Sequence, residues 1–370
     1  MTASRAALAD LAKAHGFKTV RFATVGPTPR AEVLHAWLAA NHHGDMRWMG
    51  EQLDVRDDPR VRMPEVLTAM VLAVEHAHVR PPDPGGRTGM VARYAWGRDY
   101  HNLVGKRLDK LRASLRAMGV RNWGGVDTAP ILERAWAAEA GLGFNGKNGV
   151  QILPARTSWM FLAVVFVDVA IEPDAPLRDH CGKCERCLVA CPTQAFTGPH
   201  LLDARRCLAY WTIEAQGLPP LALREGFGRW VFGCDVCQEV CPHNAAPPDP
   251  EEADLMPRHA WLDLDEVIAA PDEALMTRFT GTPLRRPKAH GLKRNALIAL
   301  GNLGDEGGVD SARVALQHPH EVVRGAAVWA LARLGAPVPK DDPSDTVRAE
   351  IMAVREGAVP TASVGRPHGG

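Results

Sequence analysis

The chain is short of several things, and each shortage excludes something. Lys and Arg together number 43 and so do Asp and Glu, so there is no net charge of either sign. A global attraction to nucleic acid is therefore excluded, and any such surface must be local. Aromatic residues make up only 6%, with three tyrosines. The longest apolar run, Trp159 to Val167, is nine residues, against the ~20 that a membrane-spanning helix needs. The opening residues lack the apolar core and small-residue cleavage site of a secretion signal. The expectation is a cytoplasmic, monomeric protein with no membrane association. With 46% apolar and 23% charged residues the composition is that of a globular chain. Its 370 residues predict two or three domains.

Cysteine is absent before residue 181 and after residue 241, yet eight lie between. Cytoplasmic thiols stay reduced, so a disulfide framework is not expected, and cysteines this concentrated read as metal ligands. The spacing is Cys181-x2-Cys184-x2-Cys187-x3-Cys191-Pro192, then Cys207, then Cys234-x2-Cys237-x3-Cys241-Pro242. Thiolates at every third residue converge on three corners of an iron–sulfur cubane, and the cysteine before proline ligates a neighbouring cluster. Two [4Fe–4S] clusters are expected. Cys181, Cys184, Cys187 and Cys241 hold one, and Cys191, Cys207, Cys234 and Cys237 hold the other. The competing reading is a pair of zinc sites, each with four cysteine ligands. Zinc takes separated Cys-x2-Cys pairs, which the triple repeat does not supply.

Residues 1–175 predict one α/β-type unit. Helical periodicity covers Ser4 to His15, Arg30 to Asn41, Asp99 to Met118 and Pro130 to Ala140. Strands are expected at Thr68–Glu75, Val150–Leu153 and Trp159–Val169, the last two pairing as a hairpin across Pro154 to Ser158. Residues 176–245 form the ferredoxin-type unit, and 246–284 a linker with connecting helices. In residues 285–356, Asn295 to Gly304 (NALIALGNLG) recurs as Ala326 to Gly335 (AAVWALARLG), 31 residues on. That period suits stacked helix pairs of the HEAT type. Two copies alone cannot bury their apolar faces, so the module must pack against the rest. Residues 357–370 read as a mobile tail. The fold class expected is α+β, with an α/β-type N-terminal domain, a two-cluster domain and an all-α HEAT-like end.

Three stretches of the N-terminal unit invite a ligand. Gly141-Leu-Gly143-Phe-Asn-Gly146 matches G-x-G-x-x-G, but a helix precedes it and a strand follows, the reverse of a dinucleotide fold. Read as a P-loop it has Asn148 where a magnesium-binding hydroxyl is needed. Nucleotide binding is excluded, although backbone this bare can lie against a large flat ligand. Asp99-Tyr-His101-Asn-Leu-Val-Gly105 is one residue too long for the D-x-H-x-x-G signature of cobalamin proteins, so His101 reads as a histidine on a helix surface. Asp127, three residues before Pro130, suits a helix cap and a catalytic acid equally.

Taken in order, Arg93–His101 (RYAWGRDYH), Val126–Arg134 (VDTAPILER), Ala140–Asn148 (AGLGFNGKN), the cysteines, Asp203–Cys207 and Trp211–Glu214 resemble the epoxyqueuosine reductase family. The resemblance covers most of the chain. It implies cobalamin, held base-off without a histidine on cobalt, and two [4Fe–4S] clusters fed by an external electron donor. It also implies reduction of epoxyqueuosine to queuosine at the wobble position of tRNA. Asp127 matches the family's proton donor, which needs burial to raise its pKa. Tyr94, Arg98, Gly143, Gly146, Lys147, Asn148 and Gln151 are the expected corrin neighbours. A tRNA substrate asks for a basic face. Between Glu273 and Asp305 there is no acidic residue, whereas Arg285, Arg286, Lys288, Lys293 and Arg294 open the repeats, and these are the expected phosphate contacts. The alternatives are a reductive dehalogenase-like enzyme acting on a small organohalide and a ferredoxin module tethered to a repeat scaffold. The basic repeats argue against the first. The second leaves the N-terminal residues without a role.

Overall fold

A computed structural model describes residues 3–246 and 252–362. Its N-terminal unit is built on a sheet of four strands, β1 (Thr19–Thr24), β2 (Thr68–Glu75), β4 (Asn122–Gly125) and β7 (Met160–Val167), in the order β1-β2-β7-β4. Every pairing in it is antiparallel. The unit thus mixes helices with an antiparallel sheet, in keeping with the α+β class expected. β2 is central and almost wholly buried, which explains its unbroken apolar run. The expected hairpin also fails. β7 pairs with β2 from Thr68↔Val167 to Glu75↔Met160. The short β6 (Gln151–Ile152) turns the other way to pair with β5 (Phe144–Asn145). Both segments are largely buried, and local pattern alone does not say which strand a buried segment joins.

The helices fall close to their expected places. Ser4 caps Arg5–Ala14 by accepting the Ala7 N–H. Asp99 caps Tyr100–Ala117 by accepting the His101 N–H, and Val104, Leu108, Leu111 and Leu115 form its buried stripe. Its partner face is the sheet, through Val165 and Phe161.

β3 (Thr88–Val91) joins the N-terminal unit to the others. It pairs with Trp230–Phe232 on one side and with Trp261–Asp263 on the other. The expected linker region thus contributes a strand. The repeat helices are Lys288–Leu303, Val309–Ala315, Glu321–Arg333 and Asp345–Arg355. The first and third touch so closely that a Cβ on Gly301 would stand 3.1 Å from Ala330 Cα. One core cluster runs from Val91 and Trp96 through Phe232 to Leu297 and Trp329, so the repeats pack against the rest as the repeat count requires. Residues 357–362, expected to be mobile, are tied down: Val359 is buried and the Ala362 N–H donates to Arg333 O. Residues 363–370 lie outside the described part. Among the described residues no helix is long and apolar enough to cross a membrane.

Candidate active site

Strand β4 ends in Gly124-Gly125 and delivers Asp127 in the left-handed backbone region, φ 57°. That conformation is costly for a residue with a side chain. Glu133 Oε1 accepts the Asp127 N–H at 2.6 Å and holds the turn. The next helix starts only at Glu133 and has no side-chain cap. Asp127 is therefore not a helix cap. Its carboxylate accepts from Tyr100 Oη and from His101 Nε2, both at 2.8 Å on Oδ2. His101 is more than a surface histidine, because its Nδ1 is engaged as well, 2.8 Å from Asp99 Oδ1.

The electrostatics of this cluster decide where the proton rests. Partial burial pushes the Asp127 carboxyl up, but hydrogen bonds from His101 and Tyr100 outweigh it and hold the pKa below its ordinary value. The proton sits on His101 instead, whose pKa is raised to about 9, first by the bond to Asp127 and then by that to Asp99. Behind the turn, burial and the Asp127 charge raise Glu133 to about 7.

Asp127 stands at a cavity of about 300 Å³ between β7 and the cluster unit, lined also by His76, Tyr94, Gln151, Trp159, Asp235 and Gln238. Its apolar side is a column of rings. His76 stacks on Phe161 at 4.3 Å, Phe161 on Tyr100 at 4.3 Å, and Tyr100 on His101 at 4.1 Å. Burial keeps His76 neutral, with a pKa lowered to about 3. Two buried atoms here, Gln151 Oε1 and His76 Nδ1, have no hydrogen-bond partner, which is the signature of a site built for a ligand with polar edges.

Of the expected corrin neighbours, Tyr94, Asp127 and Gln151 line this cavity. Lys147 and Asn148 face the cysteine unit instead. The Lys147 N–H points to Cys181 Sγ at 3.5 Å and Asn148 Nδ2 donates to Cys237 O at 3.2 Å. Arg98 is exposed and pairs with Asp254 at 3.8 Å. The glycines answer to the chain itself. A Cβ on Gly143 would stand 2.3 Å from Ile152 O, and one on Gly146 2.4 Å from Ile152 Cδ1. Tyr100, Glu133, His76 and the Trp159–Phe161 wall escaped the sequence. Only the chemistry-bearing string Asp99-Tyr100-His101 offered a signal.

All eight cysteines are free. Burial raises the Cys181, Cys187 and Cys241 thiols; Cys181 and Cys187 also feel Cys241, and Cys241 feels Cys184. Likewise Cys207 feels Cys191, Cys234 feels Cys237 and Cys207, and Cys237 feels Cys207 and Cys191. Cys237 also feels Cys187, so the two groups adjoin. Among the described residues no group of three or more Cys, His, Asp or Glu is placed to hold a single metal ion.

The expected tRNA set divides. Arg285, Arg286 and Lys288 are exposed. Arg286 pairs with Glu214 at 3.0 Å, and its charge is among those that lower Asp127. Lys293 and Arg294 are only 4% and 0% exposed. Lys293 pairs with Asp272 at 3.0 Å, and Arg294 donates to Ala215 O, Gly217 O and Trp211 O. Neither presents its charge to solvent. They sit on the inward face of a helix, and sequence position alone does not separate that face from the outer one.

A cysteine module of two thiol groups, an adjoining cavity walled by rings and gated by an acid–base chain, and a helical-repeat cover together define an iron–sulfur oxidoreductase. Residues 180–244 match the family described as 4Fe-4S double cluster binding domain, and 289–355 match HEAT repeats. Residues 56–128 match the family described as Epoxyqueuosine reductase QueG. The epoxyqueuosine reductase of Xanthomonas campestris pv. campestris is 36% identical over 349 residues, 90% of this chain and 97% of that protein. That of Pseudomonas aeruginosa is 38% identical over 344 residues, 88% of this chain and 93% of its own. A crystal structure of epoxyqueuosine reductase with an epoxyqueuosine-modified tRNA-Tyr stem loop superposes with a TM-score of 0.88 at 26% identity, covering 94% of this chain and 97% of that one. A Bacillus subtilis epoxyqueuosine reductase, with the loop of its catalytic aspartate swung out of the active site, gives a TM-score of 0.85 at 26% identity over the same shares. This chain belongs to the epoxyqueuosine reductase family.

Proposed function

We propose that the chain reduces the epoxide of epoxyqueuosine in tRNA to the alkene of queuosine. The reaction takes up two electrons and two protons and releases the epoxide oxygen as water. The observation that carries this reading is the position of Asp127 on its strained turn, lining one cavity with Asp235 and Gln238, which interleave in the chain with Cys234 and Cys237. Proton donor and electron source thus meet at one place.

The two sets of neighbouring thiols support one [4Fe–4S] cluster on Cys181, Cys184, Cys187 and Cys241 and another on Cys191, Cys207, Cys234 and Cys237. The polar-edged cavity supports cobalamin, which Tyr94 and Gln151 would hold, with Lys147 and Asn148 on the cluster side. When bound, it would supply one-electron metal chemistry at the epoxide carbon. The chain's own part is to hold the base beside Asp127, exclude water with the Trp159–Phe161 wall, and protonate the departing oxygen. The exposed Arg285, Arg286 and Lys288 suit the phosphates of the anticodon arm, whose wobble base must be splayed out to reach the cavity. An external electron donor completes the cycle.

The test is anaerobic reconstitution followed by single-turnover assay on epoxyqueuosine-containing tRNA, with nucleosides read by mass spectrometry. About eight irons per chain, a bound corrin spectrum and formation of queuosine are expected. Asp127→Asn should retain both cofactors and lose turnover by roughly 10²-fold or more. Colourless, zinc-loaded protein would sink the reading, as would full activity of the Asp127→Asn variant.

A further inference from the structure

Conversion of an epoxide to an alkene sends two protons to the same oxygen, which leaves as water. Asp127 carries at most one proton, so it must be reloaded within each turnover. His101 stands behind it, with Nε2 2.8 Å from Asp127 Oδ2 and Nδ1 2.8 Å from Asp99 Oδ1. With a carboxylate at each ring nitrogen, both nitrogens are donors. The ring also lines a second cavity, of about 580 Å³, which includes Gln52, Arg62, Lys106 and Asp109 and shares only Val126 with the first. Asp127 thus faces the cavity assigned to the reaction, and its hydrogen-bond partner faces a separate, polar one that opens to water.

We propose that His101 is a positioning residue that relays protons from the second cavity to Asp127, twice in each turnover. The proposal rests on the reading of Asp127 as proton donor. In each relay the His101 Nε2–H proton passes to Asp127 Oδ2, and Asp127 gives a proton to the substrate oxygen. The first transfer makes a hydroxyl and the second releases it as water. After each, neutral His101 keeps its Nδ1–H on Asp99 and, while the Asp127 carboxyl is turned from it toward the substrate, takes a proton at Nε2 from water of the second cavity. Two protons enter from solvent and two leave in the product water, matching the two electrons supplied through the clusters.

The groups that face the relay are Asp99 and Tyr100 from its own helix, Asp127 from the turn, and Arg62, Lys106 and Asp109 across the second cavity. Arg286 acts on Asp127 from the repeat side. The carboxylates raise the His101 pKa to about 9, so the relay is loaded at neutral pH and empties above that value. Tyr100 also donates to Asp127, but its pKa is raised further by burial and by Asp127, so its proton stays in place.

The experiment compares wild type, His101→Gln, His101→Gly and Asp99→Asn as reconstituted holoenzymes, with chemically reduced clusters and saturating epoxyqueuosine tRNA, across pH 6–10. His101→Gln keeps an amide N–H for Asp127 but cannot relay. It should lose roughly 10²-fold in single-turnover rate and its alkaline limb, with the corrin spectrum and tRNA affinity unchanged. Asp99→Asn should move the wild-type limb to lower pH. Added imidazole should restore His101→Gly, with rescue depending on the pKa of the added base. A wild-type rate and limb in His101→Gln would overturn the relay, as would loss of corrin binding in the variants or absence of rescue. Failure of the functional reading is separable: it would appear as inactive wild type or active Asp127→Asn, whatever the His101 variants do.

Discussion

Arg224 and Glu350 face each other in the interior, the guanidinium donating at 2.7 and 2.6 Å to the two carboxylate oxygens. Their side chains are 2% and 11% exposed. Arg224 belongs to the cluster unit and Glu350 to the last repeat helix, so this two-pronged bond fastens the repeats over the cysteine module. Arg224 also lies over the Trp329 ring at 5.3 Å and hands its backbone carbonyl to Asn302.

Removing one member of such a pair strands a buried charge, which costs about 3–5 kcal/mol. Glu350→Ala should therefore lower the denaturant midpoint of the holoprotein sharply. The double variant Arg224→Met, Glu350→Leu should recover most of the loss, because an apolar pair needs no compensation. A double variant as unstable as the single would show that the ion pair itself holds the repeats.

The basic run at the start of the repeats yields a prediction in two halves. Exchanging Arg285, Arg286 and Lys288 for Glu should weaken binding of an anticodon stem loop strongly. It should also flatten the salt dependence, each lost phosphate contact removing about 0.7–0.9 from the log–log slope. Cofactor content should not change. Arg294→Ala should do the opposite. Its guanidinium closes on three backbone carbonyls of the cluster unit, so the variant should lose stability while its residual folded fraction keeps the wild-type salt slope. Fluorescence anisotropy against salt, paired with thermal melting, separates the two.

That division marks how far the sequence could be read. The double-cluster module was legible because ligand spacing is local chemistry, and the repeat was legible because helical period is local geometry. Arg294 was misread because facing depends on what the helix packs against, here the carbonyls around Trp211. The β6–β7 hairpin was misread for the same reason: strand partners are chosen by tertiary burial. Asp127 was singled out by resemblance, but its resting ionisation stayed open in the sequence. It is set by Tyr100 and His101, 27 and 26 residues away in the chain, and no local pattern announces that meeting.

Glu133 offers a pH test of the same turn. It accepts the Asp127 N–H, and burial together with the Asp127 charge raises its pKa from 4.5 to about 7. A carboxyl raised on folding contributes stability that is fully present below its unfolded value and lost as pH climbs through the folded one. The Glu133 contribution is therefore present below about 4.5 and gone above about 7. Glu133→Gln keeps an oxygen for the Asp127 N–H and carries no charge at any pH. It should melt higher than wild type at pH 8, with the gap closing toward pH 5. At pH 8 it should also turn over at least as fast, since the turn that aims Asp127 no longer holds two neighbouring anions. A melting difference that is the same at pH 5 and pH 8 would mean that Glu133 titrates like a free carboxyl, and the turn would then owe its conformation to the backbone bond alone.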